Sequence, residues 1–141
     1  MWRIAAAYLA TALVFGALDA VWLTPSFSAV YLPEIGRLTL PSPEPVASLA
    51  FYLVYIAGVV RFAVAPALTS GGPLRAATQG AFLGLVAYAT YDLTNLATLQ
   101  HWTLKVSLID MAWGCVATAT AACAATAIVG RFAGASKETS K

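Results

Sequence analysis

Three aspartates stand inside otherwise apolar stretches of this 141-residue chain: Asp19, Asp92 and Asp110. A charged side chain at the centre of a bilayer costs about 2.5–3.5 kcal/mol on insertion scales, so such a group faces other helices or a water-filled space and finds a partner there. Residues able to partner them recur at helical spacing. Tyr88 precedes Asp92 by four and Asn95 follows it by three, while Trp22 and Trp113 follow Asp19 and Asp110 by three. These intervals put each set on one helical face. Tyr91 adjoins Asp92, and Tyr52 and Tyr55 stand at a matching depth on another apolar stretch.

The chemistry of such a layer has more than one reading. As a clasp, in a structural or accessory membrane subunit, the tyrosine hydroxyls, indole N–H groups and Asn95 amide satisfy the carboxylates and fix helix register. As a pocket near the outer face, three carboxylates in a low-dielectric layer do not all ionise cheaply and titrate together, which suits binding or transport of a cation or small polar molecule, a lipid headgroup or a relayed proton. The ligand-binding set is then Asp19, Asp92, Asn95, Asp110, Tyr52, Tyr55, Tyr88, Tyr91, Trp22 and Trp113. A lipid-modifying enzyme, with a carboxylate as general acid or base, is a further alternative. Either Arg37 or Lys105 could reach a carboxylate and neutralise it. No metal site and no cofactor is identified: HExxH, CxxC, Walker and nucleophile–base patterns are absent. The lone histidine, His101, reads as an interfacial residue rather than a ligand.

The elements that must carry these residues follow from composition. Sixty per cent of the chain is apolar, 10% is charged, and the mean hydropathy is +0.78. A soluble domain carries about a quarter charged residues, so this chain lacks the polar surface to cover itself in water. A net charge of +2 with no basic run excludes nucleic acid as a partner. Four stretches, 4–23, 46–68, 74–98 and 104–130, are long enough to cross a bilayer, for which about 20 apolar residues suffice. The expected fold is all-α: an integral membrane four-helix bundle over residues 1–132, with a polar cytoplasmic tail over 133–141.

Thr24-Pro25 is expected to end the first span, and Ser70-Gly71-Gly72-Pro73 to join the second to the third. Phe27, Val30, Tyr31, Ile35 and Leu38 predict a short interfacial helix in the first loop, placed as a lid or a plain connector. At helical rise the three aspartates then lie about 6–11 Å below the same membrane boundary. Arg3, Arg75, Arg131, Lys137 and Lys141 gather on one side, against Arg37 and Lys105 on the other. That bias places both termini in the cytoplasm. The opening Met1-Trp2-Arg3 has Leu18 where a cleavage site before Ala20 would need a small residue, and so reads as an uncleaved first span. Arg61 lies close enough to the cytoplasmic boundary to snorkel. Cys115 and Cys123 stand eight residues apart, about 12 Å along one helix and beyond disulfide reach.

Small residues supply the packing. Gly80 and Gly84 form a GxxxG, Ala12, Gly16 and Ala20 a matching ridge, and 117–127 is alanine-rich. Such ridges let helices approach closely within a bundle, and they also suit a homo-oligomer. Threonines of the third and fourth spans are expected to bond back to their own helix carbonyls.

The segments LDAVWL (18–23), FYLVYIAG (51–58), PAL (66–68), TYDLTNLATL (90–99) and DMAWG (110–114) resemble a bacterial membrane family, domain of unknown function 2177. The resemblance spans nearly the whole chain before the tail. It implies a four-helix inner-membrane protein, and falls on Asp19, Trp22, Tyr52, Tyr55, Tyr91, Asp92, Asn95, Asp110 and Trp113. Arg61 departs from an otherwise apolar stretch.

Overall fold

The computed structural model describes residues 2–138, with side chains as far as 132. Helix dominates, and no strand occurs among the described residues. The α-helices are α1 (Trp2–Ser26), α2 (Leu32–Ile35), α3 (Pro45–Val59), α4 (Ala65–Thr69), α5 (Gly72–Thr98) and α6 (Leu104–Glu138). Three helical stretches are long and apolar enough to cross a membrane: Trp2–Leu38, Pro45–Thr69 and Leu104–Phe132. α5, with 27 residues, has the length, but Arg75, Gln79, Asp92, Asn95 and its threonines lower its hydropathy. The fourth stretch expected over 74–98 is therefore a helix without the apolarity of the other three.

Proline shapes both breaks in the long helices. The stop expected at Thr24-Pro25 does not occur: α1 continues to Ser26 and passes through a π-helical turn, Phe27–Tyr31, into α2 and a 3-10 turn, Gly36–Leu38. A proline inside a helix removes one N–H and crowds the carbonyl four residues earlier. Neighbouring hydroxyls cover the carbonyls around it, Thr24 Oγ1 donating to Ala20 at 2.7 Å and Ser26 Oγ to Trp22 at 2.6 Å. A second π-helical turn, Val60–Val64, precedes Pro66 and joins α3 to α4, widening the helix where the proline could not fit. Arg61 sits in this turn, exposed, its guanidinium 5.6 Å from the Phe62 ring centre. Glu44 caps α3 by accepting from the Val46 and Ala47 N–H groups at 3.1 and 2.6 Å, with Pro45 as its first residue. Gly71 and Gly72 take φ of 86° and 61° at the turn into α5, a region open to glycine at little cost.

α6 is the shared wall: α5 packs along one side of it and α1 along another. Buried residues recur every fourth position in α1 (Ala7, Thr11, Phe15, Asp19) and in α5 (Ala76, Gly80, Gly84, then Asp92), the rows expected of helices meeting ridge into groove. A Cβ at Gly80 would stand 2.8 Å from the Thr118 carbonyl oxygen, and one at Gly84 would overlap the Gly114 carbonyl. The GxxxG of α5 thus closes against α6 within the chain. The ridge expected to match it does not: Gly16 has no atom near its missing Cβ, and Ala20 is exposed, because α1 turns its Phe15 and Asp19 face inward instead. Large apolar side chains cover the outside, Leu13 at 74% exposure on α1 and Phe82 at 69% on α5. The polar tail expected from residue 133 begins as a continuation of the α6 backbone to Glu138; its residues 139–141 lie outside the described residues.

Candidate functional site

Two of the three aspartates, Asp19 and Asp110, share one cavity. Asp19, on the inward face of α1, is 6% exposed. Its Oδ2 accepts from the Tyr52 hydroxyl of α3 at 2.5 Å, and its Oδ1 from Trp113 Nε1 of α6 at 3.2 Å. Asp110 accepts from the Tyr31 hydroxyl, which in turn accepts from Trp22 Nε1 at 3.1 Å. The Trp22 and Trp113 indoles stack with ring centres 4.6 Å apart and 9° between planes. Each carboxylate is therefore tied to an indole, and the indoles are tied to one another. Four segments of chain contribute: α1, the first-loop turn, α3 and α6.

Asp19 and Asp110 line a cavity of about 260 Å³ together with Tyr31, Tyr88, Tyr91 and Trp113. Asp110 also lines a second cavity of about 270 Å³, whose remaining wall is Phe51 and Tyr55 from α3 with Ala87, Tyr88 and Tyr91 from α5. Tyr88, Tyr91 and Asp110 are common to both. Tyr55 is steered by its hydroxyl, 2.7 Å from Thr118 Oγ1, and by Phe15, whose ring centre lies 5.2 Å away. α3 makes few contacts with α5, whereas the π-helical turn below it packs directly on α5. The rings of Phe51, Tyr55, Tyr88 and Tyr91 therefore flank a cleft between two helices that part towards the aspartate end.

Asp92 behaves differently. It is fully buried, and neither carboxylate oxygen has a hydrogen-bond partner. Its backbone carbonyl accepts from Ser107 Oγ of α6 at 3.4 Å, and Ser107 is held by Trp102 Nε1 at 3.0 Å. Ser107 precedes Asp110 by one helical turn. Asp92 thus lies behind the shared cavity wall, in the contact between α5 and α6, and forms part of neither cavity lining. Asn95 is half-buried and contributes to neither lining; its carbonyl accepts the Leu99 N–H at 2.8 Å where α5 ends. Among the described residues, no three His, Cys, Asp or Glu side chains group closely enough to hold a metal ion.

Neither cation that could neutralise an aspartate pairs with one among the described residues. Lys105 Nζ lies 2.9 Å from Glu34 Oε1, pairing the first turn of α6 with the first loop. Arg37 lines a surface cavity beside Glu34 and His101. His101 is exposed at φ 67° in the connection between α5 and α6, a left-handed conformation in which histidine is enriched. Sequence reasoning placed Tyr31 only on an interfacial helix. Its inward role was carried by the spacing of Phe27, Tyr31 and Ile35, all of which line the first cavity. Phe51 and Trp102 gave no signal, since an aromatic residue near a membrane boundary is ordinary.

A family described as a predicted membrane protein (DUF2177) matches residues 4–127. The chain belongs to this family. No curated protein matches it, and no solved structure does. The match reaches from the first turn of α1 deep into α6, so every DUF2177 residue just described, from Asp19 to Trp113, falls within it. The matched residues also include both π-helical turns, which set Tyr31 below α1 and part α3 from α5 in this DUF2177 protein.

Proposed function

We propose that this protein spans a bacterial inner membrane four times, with both termini in the cytoplasm, and binds a small organic cation in the aromatic cavity around Asp110. A fourth crossing by α5 is supported by its outward face, where Leu74, Phe82, Val86 and Leu93 are exposed. Thr90, Thr94 and Thr98 donate to the carbonyls four residues earlier at 2.5–2.7 Å, which removes much of their polar cost in lipid. The excess of arginine and lysine at the end remote from the aspartates supports the orientation.

The observation that carries the binding reading is Asp110. Asp19 has a donor on each oxygen and acts as a clasp. Asp110 has the Tyr31 hydroxyl alone and faces both cavities. Tyrosine and phenylalanine rings attract a cation through their faces, and a carboxylate beside them supplies the opposite charge. A cavity of about 270 Å³ lies just below the range of pockets for drug-sized ligands, so an amine or quaternary ammonium group of headgroup size fits it. The cleft between α3 and α5 supports entry from the bilayer.

Thermal unfolding in neutral detergent, with choline or ethanolamine added at pH 5–8, tests this. Both amines raise the melting temperature of the wild-type protein, and Asp110→Asn abolishes the rise. Indifference of the wild type to every amine tried, or an equal response from Asp110→Asn, overturns the reading.

A further inference from the structure

A cavity of about 500 Å³ opens at the end of the molecule remote from the aspartates, with Arg3, Leu68, Gly72, Thr126 and Arg131 in its wall. It collects donors and no described acceptor of negative charge. Asp19, Glu34, Glu44, Asp92 and Asp110 all lie towards the other end of their helices and loops, and neither Arg3 nor Arg131 forms an ion pair with a described side chain. Arg3 Nη2 reaches the Leu68 carbonyl at 3.4 Å, a long bond that leaves most of the guanidinium fork open. α5 begins in the same wall, without a side-chain cap and without an acidic residue in its first turn. Pro73 in that turn has no N–H, and the remaining leading N–H groups and the positive end of the 27-residue helix have no side-chain cap or acidic partner.

The independent mark of a ligand is Thr126. It is 3% exposed, and its Oγ1 has no hydrogen-bond partner. Thr11, Thr90, Thr98 and Thr120 all return their hydroxyls to the carbonyl four residues earlier, at 2.7–2.8 Å. Thr126 alone among these helix-borne hydroxyls is withheld from its own backbone while forming part of a cavity wall. A buried hydroxyl left without a partner costs free energy unless something accepts from it.

We infer that this cavity is an anion site for a phosphate group. Guanidinium forks match phosphate oxygens two at a time, helix N-termini bind phosphate through backbone N–H groups, and the unpartnered Thr126 hydroxyl, enclosed behind the wall, is a further donor once its side chain turns towards the cavity. Arg3 and Arg131 lie outside the residues of the family match, whereas Leu68, Gly72 and Thr126 lie within it. The phosphate could be carried by a lipid headgroup or arrive free from water, and the chemistry of the wall is the same for both.

Full-length protein in neutral detergent is melted with dioleoylphosphatidylglycerol, with dioleoylglycerol as the phosphate-free control, and separately with potassium phosphate against potassium chloride at equal ionic strength. Phosphatidylglycerol raises the melting temperature and dioleoylglycerol does not. The double variant Arg3→Gln/Arg131→Gln weakens the half-saturating concentration by roughly tenfold or more, as expected when a charge-assisted hydrogen bond is lost. Thr126→Val weakens it by a smaller factor, and Arg37→Gln at the opposite end responds as wild type. A response to both additives assigns free phosphate as sufficient, and a response to the lipid alone assigns a headgroup presented by the bilayer. Either supports the site. A matching response to dioleoylglycerol, no response in either arm, or an unaltered affinity in the double variant overturns it. Should the double variant fail to fold, an unaltered affinity in Thr126→Val, which removes only the hydroxyl, overturns it instead.

Discussion

The seam between α5 and α6 and the aromatic region between α1, α3 and α6 are built from opposite materials. In the seam, Gly80 and Gly84 of α5 lie so close to Thr118, Ala122 and Gly114 of α6, and Gly114 to the Tyr88 ring, that a single added carbon would collide. In the aromatic region, Phe15, Tyr52, Tyr55, Trp22 and Trp113 hold the helices apart with rings, and hydrogen bonds rather than contact area fix the spacing. Lipid gives apolar side chains no reason to prefer one another, so packing and polar bonds decide which helices meet. The small residues therefore make a dry, closed joint, and the large ones make a joint with room left in it. Asp92 fell into the first and Asp19 into the second, and their surroundings differ accordingly.

The seam is the more brittle of the two. Gly84→Leu sets a branched side chain against the Gly114 carbonyl and Thr118 Oγ1, atoms that cannot move without shifting α6. Overpacking a close-packed contact costs about 1–3 kcal/mol and occasionally more, and here backbone must yield, so a loss of about 3 kcal/mol is expected. Stepwise unfolding in increasing sodium dodecyl sulfate measures it. Retention of wild-type stability in Gly84→Leu would show that α5 and α6 are not locked as described.

The aromatic joint depends on acceptors rather than fit. Asp19→Ala strands the Tyr52 hydroxyl and the Trp113 indole N–H, each of which loses its partner. An unmade buried hydrogen bond costs about 1–3 kcal/mol, giving a combined loss of about 2 kcal/mol once partial rehydration is allowed. Asp19→Asn keeps one acceptor oxygen and is expected to recover part of that. Equal losses from the two substitutions, measured in the same unfolding series, would mean that charge and not acceptance holds the joint.

The same contrast explains what was legible in the sequence. Three apolar helices long enough to cross a membrane followed from apolar length, and the spacing of Trp22 from Asp19 and of Tyr88 from Asp92 implied shared helical faces. Close packing of the GxxxG within the chain was also readable, because Gly80 and Gly84 on one face admit a close neighbour, but its partner was not, since α6 and not the ridge of α1 fills that place. Pro25 misled, since nearby Thr24 and Ser26 hydroxyls let the helix run past it. The partners of Asp110 and Lys105 were not readable either. Tyr31 lies 79 residues from Asp110 in sequence and Glu34 lies 71 from Lys105, so each pairing depends on where the first loop folds back, which no local spacing encodes. Depth along the helices put the three carboxylates at one level, but azimuth decided which of them would face a cavity.

Asp92 gives the smallest effect and the sharpest contrast with Asp19. It occupies the seam, fully buried, with both carboxylate oxygens unpartnered. Replacing a buried polar group that makes no bond by an apolar one of similar size removes a desolvation penalty and no interaction. Asp92→Leu is therefore expected to leave stability unchanged or raise it by about 1 kcal/mol, the Ser107 bond to the Asp92 backbone carbonyl being retained. Two aspartates at one end of the molecule would then respond to loss of the carboxylate with opposite signs. A loss in Asp92→Leu as large as that in Asp19→Ala would mean that the seam holds a bonded partner for Asp92, and the distinction between a dry joint and a hydrogen-bonded one would fall with it.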